Sequence, residues 1–159
     1  MRTALLVLGT LFFLTGCGSV PTYQAPETVQ YEIEGELANQ SEAEKAVQVI
    51  EDNLAYAEAE DLDGYLSTIL QSAAEETRAE LGPFFEQYDL EHTILKIEVL
   101  EQEEERMLIQ TQQQTVMIDS VEGAENYRNH IAEVNYTMVV EEGEWKIEET
   151  AMTDTTFID

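Results

Sequence analysis

One cysteine, three prolines, two histidines and seven lysines plus arginines are little for a chain of 159 residues. A lone Cys17 excludes an internal disulfide framework, a paired-thiol redox site and a Cys/His zinc cluster. So few basic side chains against 34 acids leave a formal charge of −27, which excludes the phosphate neutralisation that nucleic-acid binding needs. It equally disfavours adhesion to anionic lipid by charge alone. The eight glycines are dispersed and build no phosphate-cradling loop. Long apolar runs are missing too. Ala4 to Leu14 is the longest, and a bilayer-spanning helix takes about 20 apolar residues.

What that short run does have is the layout of a secretory signal. Arg2 supplies a thin positive start, Ala4 to Leu14 the apolar centre, and Thr15 and Gly16 the small residues before Cys17. Leu14-Thr15-Gly16-Cys17 resembles the lipobox of bacterial lipoproteins at each of its four positions. The resemblance implies a diacylglyceryl thioether on Cys17, cleavage after Gly16 and acylation of the new amino terminus. Two or more acyl chains hold a protein at a membrane where one is marginal. With Cys17 acylated, no free thiol remains for catalysis. Gly18 stands where an Asp would favour inner-membrane retention by the same resemblance. The expected location is therefore the cell envelope, on the outer membrane or the outer face of the cell membrane.

Cleavage removes Arg2 and no acid, so the mature chain sets 34 acids against 6 lysines and arginines (7 less Arg2), a formal charge of −28. Metal capture, a cationic ligand, or adaptation of an exposed protein to salt or high pH would each explain this. The last is favoured, because the acids are scattered rather than gathered into one ligand loop. Asp61-x-Asp63-Gly64 lacks the further oxygen ligands and closing Glu of a calcium loop. No metal site and no cofactor is expected.

Three segments follow: a signal peptide over 1–16, a lipidated Cys and extended tether over 17–40, and one domain over 41–159. Pro21 and Pro26 lie in the tether, where Val29, Tyr31 and Ile33 alternate with polar residues but read as linker rather than strand. Ser41 and Glu44 have capping-box spacing and open a helix to about Glu60, with Ala43, Ala46, Val47, Ile50, Leu54 and Ala57 on one face. A second helix carries Leu62, Tyr65, Leu66, Ile69 and Leu70. Ser72 and Glu75 repeat the capping spacing before a third, which carries Leu81, Phe84, Phe85 and Tyr88 and which Gly82-Pro83 interrupts with a kink or short restart. From His92 the period becomes two. Four strands are predicted: Leu95, Ile97 and Val99 in the first, Met107–Ile118, Arg128–Val140, and Trp145 to Met152 or beyond. Acidic Glu101–Glu105 and Glu142-Gly143 supply turns.

Three helices and then a four-stranded antiparallel meander make an α+β domain with the helices on one face of a curved sheet. Over Ser41 to Met152 the chain resembles the nuclear transport factor 2-like superfamily, the cone shared with polyketide-cyclase-like and ketosteroid-isomerase-like proteins. The carriers are the first long helix, the Glu60-Asp61-Leu62-Asp63-Gly64-Tyr65-Leu66 step, Gln110 and Thr111, Tyr127-Arg128-Asn129, and Glu142-Gly143-Glu144-Trp145-Lys146-Ile147. A cystatin-like fold is the nearest rival, and three helices before the sheet argue against it.

The resemblance implies a pocket between helices and sheet. Alternation without a bulge puts Tyr136, Trp145 and Glu149 on its lining, with His130 inward or at the rim. Glu149 and His130 are the candidate bases, and His92 is the other histidine. The strand Gln110–Thr115 is polar on both faces, which fits a wetted pocket on one side and a partner sheet, in a homodimer, on the other. No acid–base constellation can be assembled from spacing. The expected role is a non-catalytic accessory lipoprotein that binds a small apolar molecule, a peptide or another envelope protein. The alternatives are a small isomerase- or cyclase-type enzyme and a structural dimer with a closed core.

Overall fold

A computed structural model describes residues 31–158, so Cys17, the cleavage point after Gly16 and most of the tether lie outside the described residues. Helix α1 spans Gln40–Glu58, α2 Leu62–Ser67 and α3 Ala74–Phe85, with a 3₁₀ turn at Gln71–Ala73 before α3. The strands are β1 Ile33–Gly35, β2 Tyr88–Gln102, β3 Arg106–Ser120, β4 His130–Glu141 and β5 Glu144–Phe157. They form one sheet in chain order, with β1 parallel to β2 and every other pair antiparallel. Among the described residues no helix is long and apolar enough to cross a membrane.

The sheet therefore has five strands, not four, because residues read as tether pair with β2. Ile33, Glu34 and Gly35 face Ile97, Glu98 and Val99. Gly35 makes the approach possible. Its φ is +116°, and a Cβ there would lie 2.3 Å from the Val99 carbonyl oxygen. Lys96 adds ion pairs to Glu34 (3.1 Å) and Glu98 (2.9 Å). At the other edge, Ile147 N–H donates to Thr68 O (2.9 Å) and Leu70 N–H donates to Ile147 O (3.1 Å). Both sheet edges are thus partly covered, which removes the free donors and acceptors that invite edge-to-edge pairing.

Helix α1 forms where expected, but its start differs from the capping box. Asn39 is the N-cap, its Oδ1 accepting from Glu42 N–H at 3.3 Å, while Glu44 takes a bond from the Gln40 side chain instead. Tertiary structure makes the choice. The Gln102 side chain clasps Asn39, accepting from its N–H (3.1 Å) and donating to its carbonyl (2.7 Å). Ser72 and Glu75 form no box either, since the 3₁₀ turn occupies that stretch and α3 begins without a side-chain cap. Pro83 stands three residues from the end of α3, so Gly82-Pro83 closes this helix rather than dividing it. Glu142 (φ 53°) and Gly143 (φ 86°) make the two-residue turn between β4 and β5, both in the left-handed region that tight hairpins require.

The core lies between α1 and the sheet. Ala43, Ala46, Val47 and Ile50 bury the helix stripe against Ile97, Val99, Met107, Ile109, Met138, Trp145 and Ile147. Each large side chain so buried stabilises by roughly 1.5–3 kcal/mol relative to exposure. Helix α3 differs, because none of its residues is buried. Leu81, Phe84 and Phe85 are half-buried and face open space rather than packed core.

Candidate functional site

That open space is a cavity of about 380 Å³, within the size range of small-molecule sites. Asn53, Leu54 and Ala57 of α1 form one wall, and Tyr65 of α2 adds to it. Leu81, Phe84 and Phe85 of α3 form the second. Tyr88, Leu90 and His92 of β2, Gln113 and Thr115 of β3, His130, Val134 and Tyr136 of β4, and Thr150 and Met152 of β5 form the floor. Tyr127 leans in from the loop before β4. In a chain with 34 acids, not one of these lining residues is an Asp, Glu, Lys or Arg.

Register explains which side chains enter. Alternation holds through β3 and β4, so Thr111, Gln113 and Thr115 pair with Val134, Ala132 and His130 on the concave face. Gln113 and Thr115, two of the six residues in the polar pattern seen in the sequence, line the cavity. Across the strands His92, Thr115, His130 and Phe157 stand in one row. Tyr136 lines the cavity and His130 sits at its rim, as the alternation of β4 predicts.

Strand β5 breaks the pattern, and Glu149 falls with it. Tyr136 pairs with Thr150 and Thr137 with Glu149, but Met138 pairs with Ile147, so Glu148 is an unpaired bulge residue. A bulge inserts one residue and reverses which face the following side chains take. Trp145 and Ile147 point inward before it; Thr150 and Met152 point inward after it. Glu149 is turned outward, exposed and absent from the cavity wall. Trp145 is buried at 5% exposure, but it lies under α1, where its indole N–H donates to the Glu42 carboxylate at 2.9 Å. It borders a separate polar cleft between α1 and the β4–β5 turn, not the cavity.

The polar groups that do enter are held by neutral partners. Gln113 Nε2 donates to Tyr136 OH (2.6 Å) and to Thr111 Oγ1 (2.7 Å). Burial pushes the Tyr136 phenol up to about 12, against the lowering effect of that bond. Asn53 Nδ2 donates to Thr68 Oγ1 (2.7 Å), whose hydroxyl donates to Tyr65 O (2.6 Å). His92 Nδ1 lies 3.1 Å from Thr115 Oγ1, and burial, aided by nearby His130, depresses its pKa to about 4. Its ring is neutral near pH 7. The His92 backbone N–H donates to the Glu58 carboxylate (2.6 Å), whose pKa burial raises despite that bond. His130 Nδ1 sits 3.0 Å from Arg128 O; a carbonyl only accepts, so the neutral ring carries its proton on Nδ1 and leaves Nε2 as an acceptor. Neither imidazole touches a carboxylate among the described hydrogen bonds, so neither has the acidic orienting partner of a catalytic dyad.

Sequence reasoning missed Asn53 and the aromatic wall of α3. Asn53 interrupts an otherwise apolar stripe on α1, which was the available signal. Phe84, Phe85 and Tyr88 read only as a kinked apolar helix end. Among the described residues no group of three or more metal-ligating side chains comes together.

Comparison with known proteins adds the relationship. No curated protein matches the chain in sequence. Among solved structures, a proposed aromatic ring hydroxylase from Novosphingobium aromaticivorans superposes with a TM-score of 0.62 at 11% identity, covering 76% of this chain and 96% of its own. A protein of unknown function with a cystatin-like fold from Nostoc punctiforme gives 0.60 at 12% identity, covering 72% and 91%. A chain named Rd1NTF2_05 gives 0.50 at 15% identity, covering 70% and 99%. At these identities the likeness establishes the fold, nuclear transport factor 2-like within the broader cystatin-like class, and the three helices do not separate the two names as the sequence reading supposed. Residues 48–158, from the middle of α1 to the end of β5, match the family described as the anti-sigma-I factor RsgI9 C-terminal domain. That stretch is well over half of the chain, and the chain belongs to this family.

Proposed function

We propose that this protein is a lipid-anchored, extracytoplasmic binding module whose cone takes up a small, largely apolar molecule. One observation carries the reading: a partly open cavity walled largely by aromatic and aliphatic side chains, with no Asp, Glu, Lys or Arg in its lining, in a chain with 34 acids. A closed-core structural dimer would have no use for half-buried Leu81, Phe84 and Phe85 facing empty volume. An isomerase- or cyclase-type site would need a base and a partner that orients it, and Glu149, the acid offered for that role, lies outside. The family description attaches such a domain to an anti-sigma factor, a regulatory protein, which fits binding better than turnover. The anchor rests on Leu14-Thr15-Gly16-Cys17.

The cavity is tested by filling it. Ala57→Phe places a ring in the void from α1, where the present side chain is half-buried. The full chain, with Cys17→Ser to keep it out of detergent, is expected to bind the neutral fluorophore N-phenyl-1-naphthylamine, and Ala57→Phe to abolish that binding while leaving the fold intact by circular dichroism. Binding undiminished by Ala57→Phe would refute the cavity as the site. The anchor is tested apart: Cys17→Ser should release the protein from membranes into the medium, and unchanged membrane retention would refute lipidation at Cys17.

A further inference from the structure

The cavity opens onto a vestibule with which it shares Phe84, Tyr88, Tyr127 and His130, and to which Arg128 and Phe157 are added. The aromatic rings run continuously from one to the other. Tyr127 lies within ring-contact spacing of its neighbours: 6.3 Å from Phe84, 5.7 Å from Tyr88 and 5.8 Å from His130, with Phe157 a further 6.4 Å from His130. Arg128 ends the chain of rings. Its guanidinium carbon stands over the Phe157 ring, 3.7 Å from its centre, in a cation–π contact.

Arg128 is unusual for its surroundings. Of the six described basic residues, Lys45, Arg78, Lys96 and Lys146 have carboxylate partners within 4 Å. Arg106, at the start of β3, and Arg128 have none among the described ion pairs, although acids outnumber bases nearly fivefold in the chain, and of these two only Arg128 borders the vestibule. Glu125 also borders the vestibule, and its contact there is a backbone one, its carbonyl accepting from Tyr88 OH at 3.0 Å. A cation held on an aromatic platform at the lip of an uncharged aromatic cavity is the reverse of what the rest of this surface presents.

We infer that the ligand is a monoanionic amphiphile: an apolar body enters the cavity and a carboxylate-type head stays at the lip against Arg128. This deepens the binding reading above and rests on it. A planar guanidinium matches a carboxylate or sulfonate with two parallel N–H donors, and Phe157 beneath it holds it in place so little rotamer freedom is lost on binding. A neutral ligand would make no use of Arg128. A dianion would meet the field of the 34 acids with one compensating charge.

The test compares two naphthalene probes of similar body on the full chain carrying Cys17→Ser. 1-Anilinonaphthalene-8-sulfonate has the anionic head and N-phenyl-1-naphthylamine lacks it. The sulfonate is expected to bind about tenfold more tightly, the ~1.4 kcal/mol of one charge-assisted contact. Arg128→Gln should erase that preference and leave the neutral probe unchanged, Arg128→Lys should restore part of it, and high salt should weaken only the sulfonate. Equal affinity for both probes in the parent, or sulfonate binding indifferent to Arg128→Gln, would overturn the anionic head while the neutral probe still reports the cavity. Failure of both probes to bind would overturn the cavity reading itself. Displacement by decanoate against 1-naphthoate then separates an acyl from an aromatic body.

Discussion

Removing the Tyr136 hydroxyl should cost more than a surface bond would. Tyr136 and Gln113 are 3% and 5% exposed, and the phenol oxygen is one of two acceptors for the Gln113 amide, at 2.6 Å. Tyr136→Phe leaves the shape of the ring in place but strands one buried N–H. A net hydrogen bond is worth roughly 0.5–1.5 kcal/mol, whereas an orphaned buried donor costs about 1–3 kcal/mol. The expected loss is therefore about 2 kcal/mol, large against the roughly 5–15 kcal/mol that holds a small domain together. Gln113→Leu alone removes the donor and strands the phenol, while the Thr111 hydroxyl keeps its bond to Val134 O. The double variant removes both ends, so it should be less destabilised than the sum of the singles by about 1 kcal/mol. Trp145, the single tryptophan and 5% exposed, reports unfolding in urea by its fluorescence. A Tyr136→Phe loss under about 0.5 kcal/mol, with additive singles, would refute the reasoning. It would mean that water in the neighbouring cavity satisfies the amide as well as the phenol does.

Three further outcomes follow from the same geometry. Gly35→Ala forces a Cβ to 2.3 Å from the Val99 carbonyl at a φ of +116°, so β1 should detach, with a loss of at least about 1–2 kcal/mol from the backbone conformation alone; hydrogen exchange at Ile97 and Val99 should accelerate, and unchanged protection would contradict the pairing. His92 has a folded-state pKa of about 4, below its unfolded value near 6.5, so the unfolded chain binds more protons between these limits and His92 stabilises fully above pH 6.5, losing that contribution as pH falls to 4. His92→Gln should therefore flatten the difference in urea stability between pH 7 and pH 4.5 by a few kcal/mol at most, with His130 and Thr115 the groups facing the ring; an unaltered pH slope would show that the ring is not buried neutral. Glu149→Gln, on the outward face after the Glu148 bulge, should change stability by less than about 0.5 kcal/mol and leave probe binding intact, and a loss of binding would restore Glu149 to the site.

Much of the fold was legible because its signals are local. The stripe Ala43, Ala46, Val47, Ile50 repeats with the helical period and is buried as such. The alternation Ala132, Val134, Tyr136, Met138 is buried on one face of β4, and Glu142-Gly143 makes the expected tight turn. The cavity was half legible. Tyr136, His130 and the polar side of β3 were placed by alternation, while Phe84, Phe85 and Tyr88 gave no sign that their apolar face would meet a void. Glu149 was misplaced because a single extra residue in β5 reverses a face, and nothing in Ile147-Glu148-Glu149 marks which residue is extra; Trp145 does point inward, but it packs under α1, away from the cavity.

The sequence by itself determined the helix stripe, the strand alternation, the hairpin turns and the acidic charge, since the first three follow from neighbours a few positions apart and the last from composition. Tertiary structure alone decided the rest. Residues 33–35 become a strand because Ile97–Val99, more than sixty residues on, offers an open edge. Asn39 caps α1 because Gln102 reaches it. The bulges at Glu148 and Thr153 appear only in the pairing of β5 with β4, beside the Ile147 bonds to Thr68 and Leu70 in the first case. The cavity exists because α1, α3 and the sheet, which are distant in sequence, leave space between them, and no local pattern encodes a distance between elements.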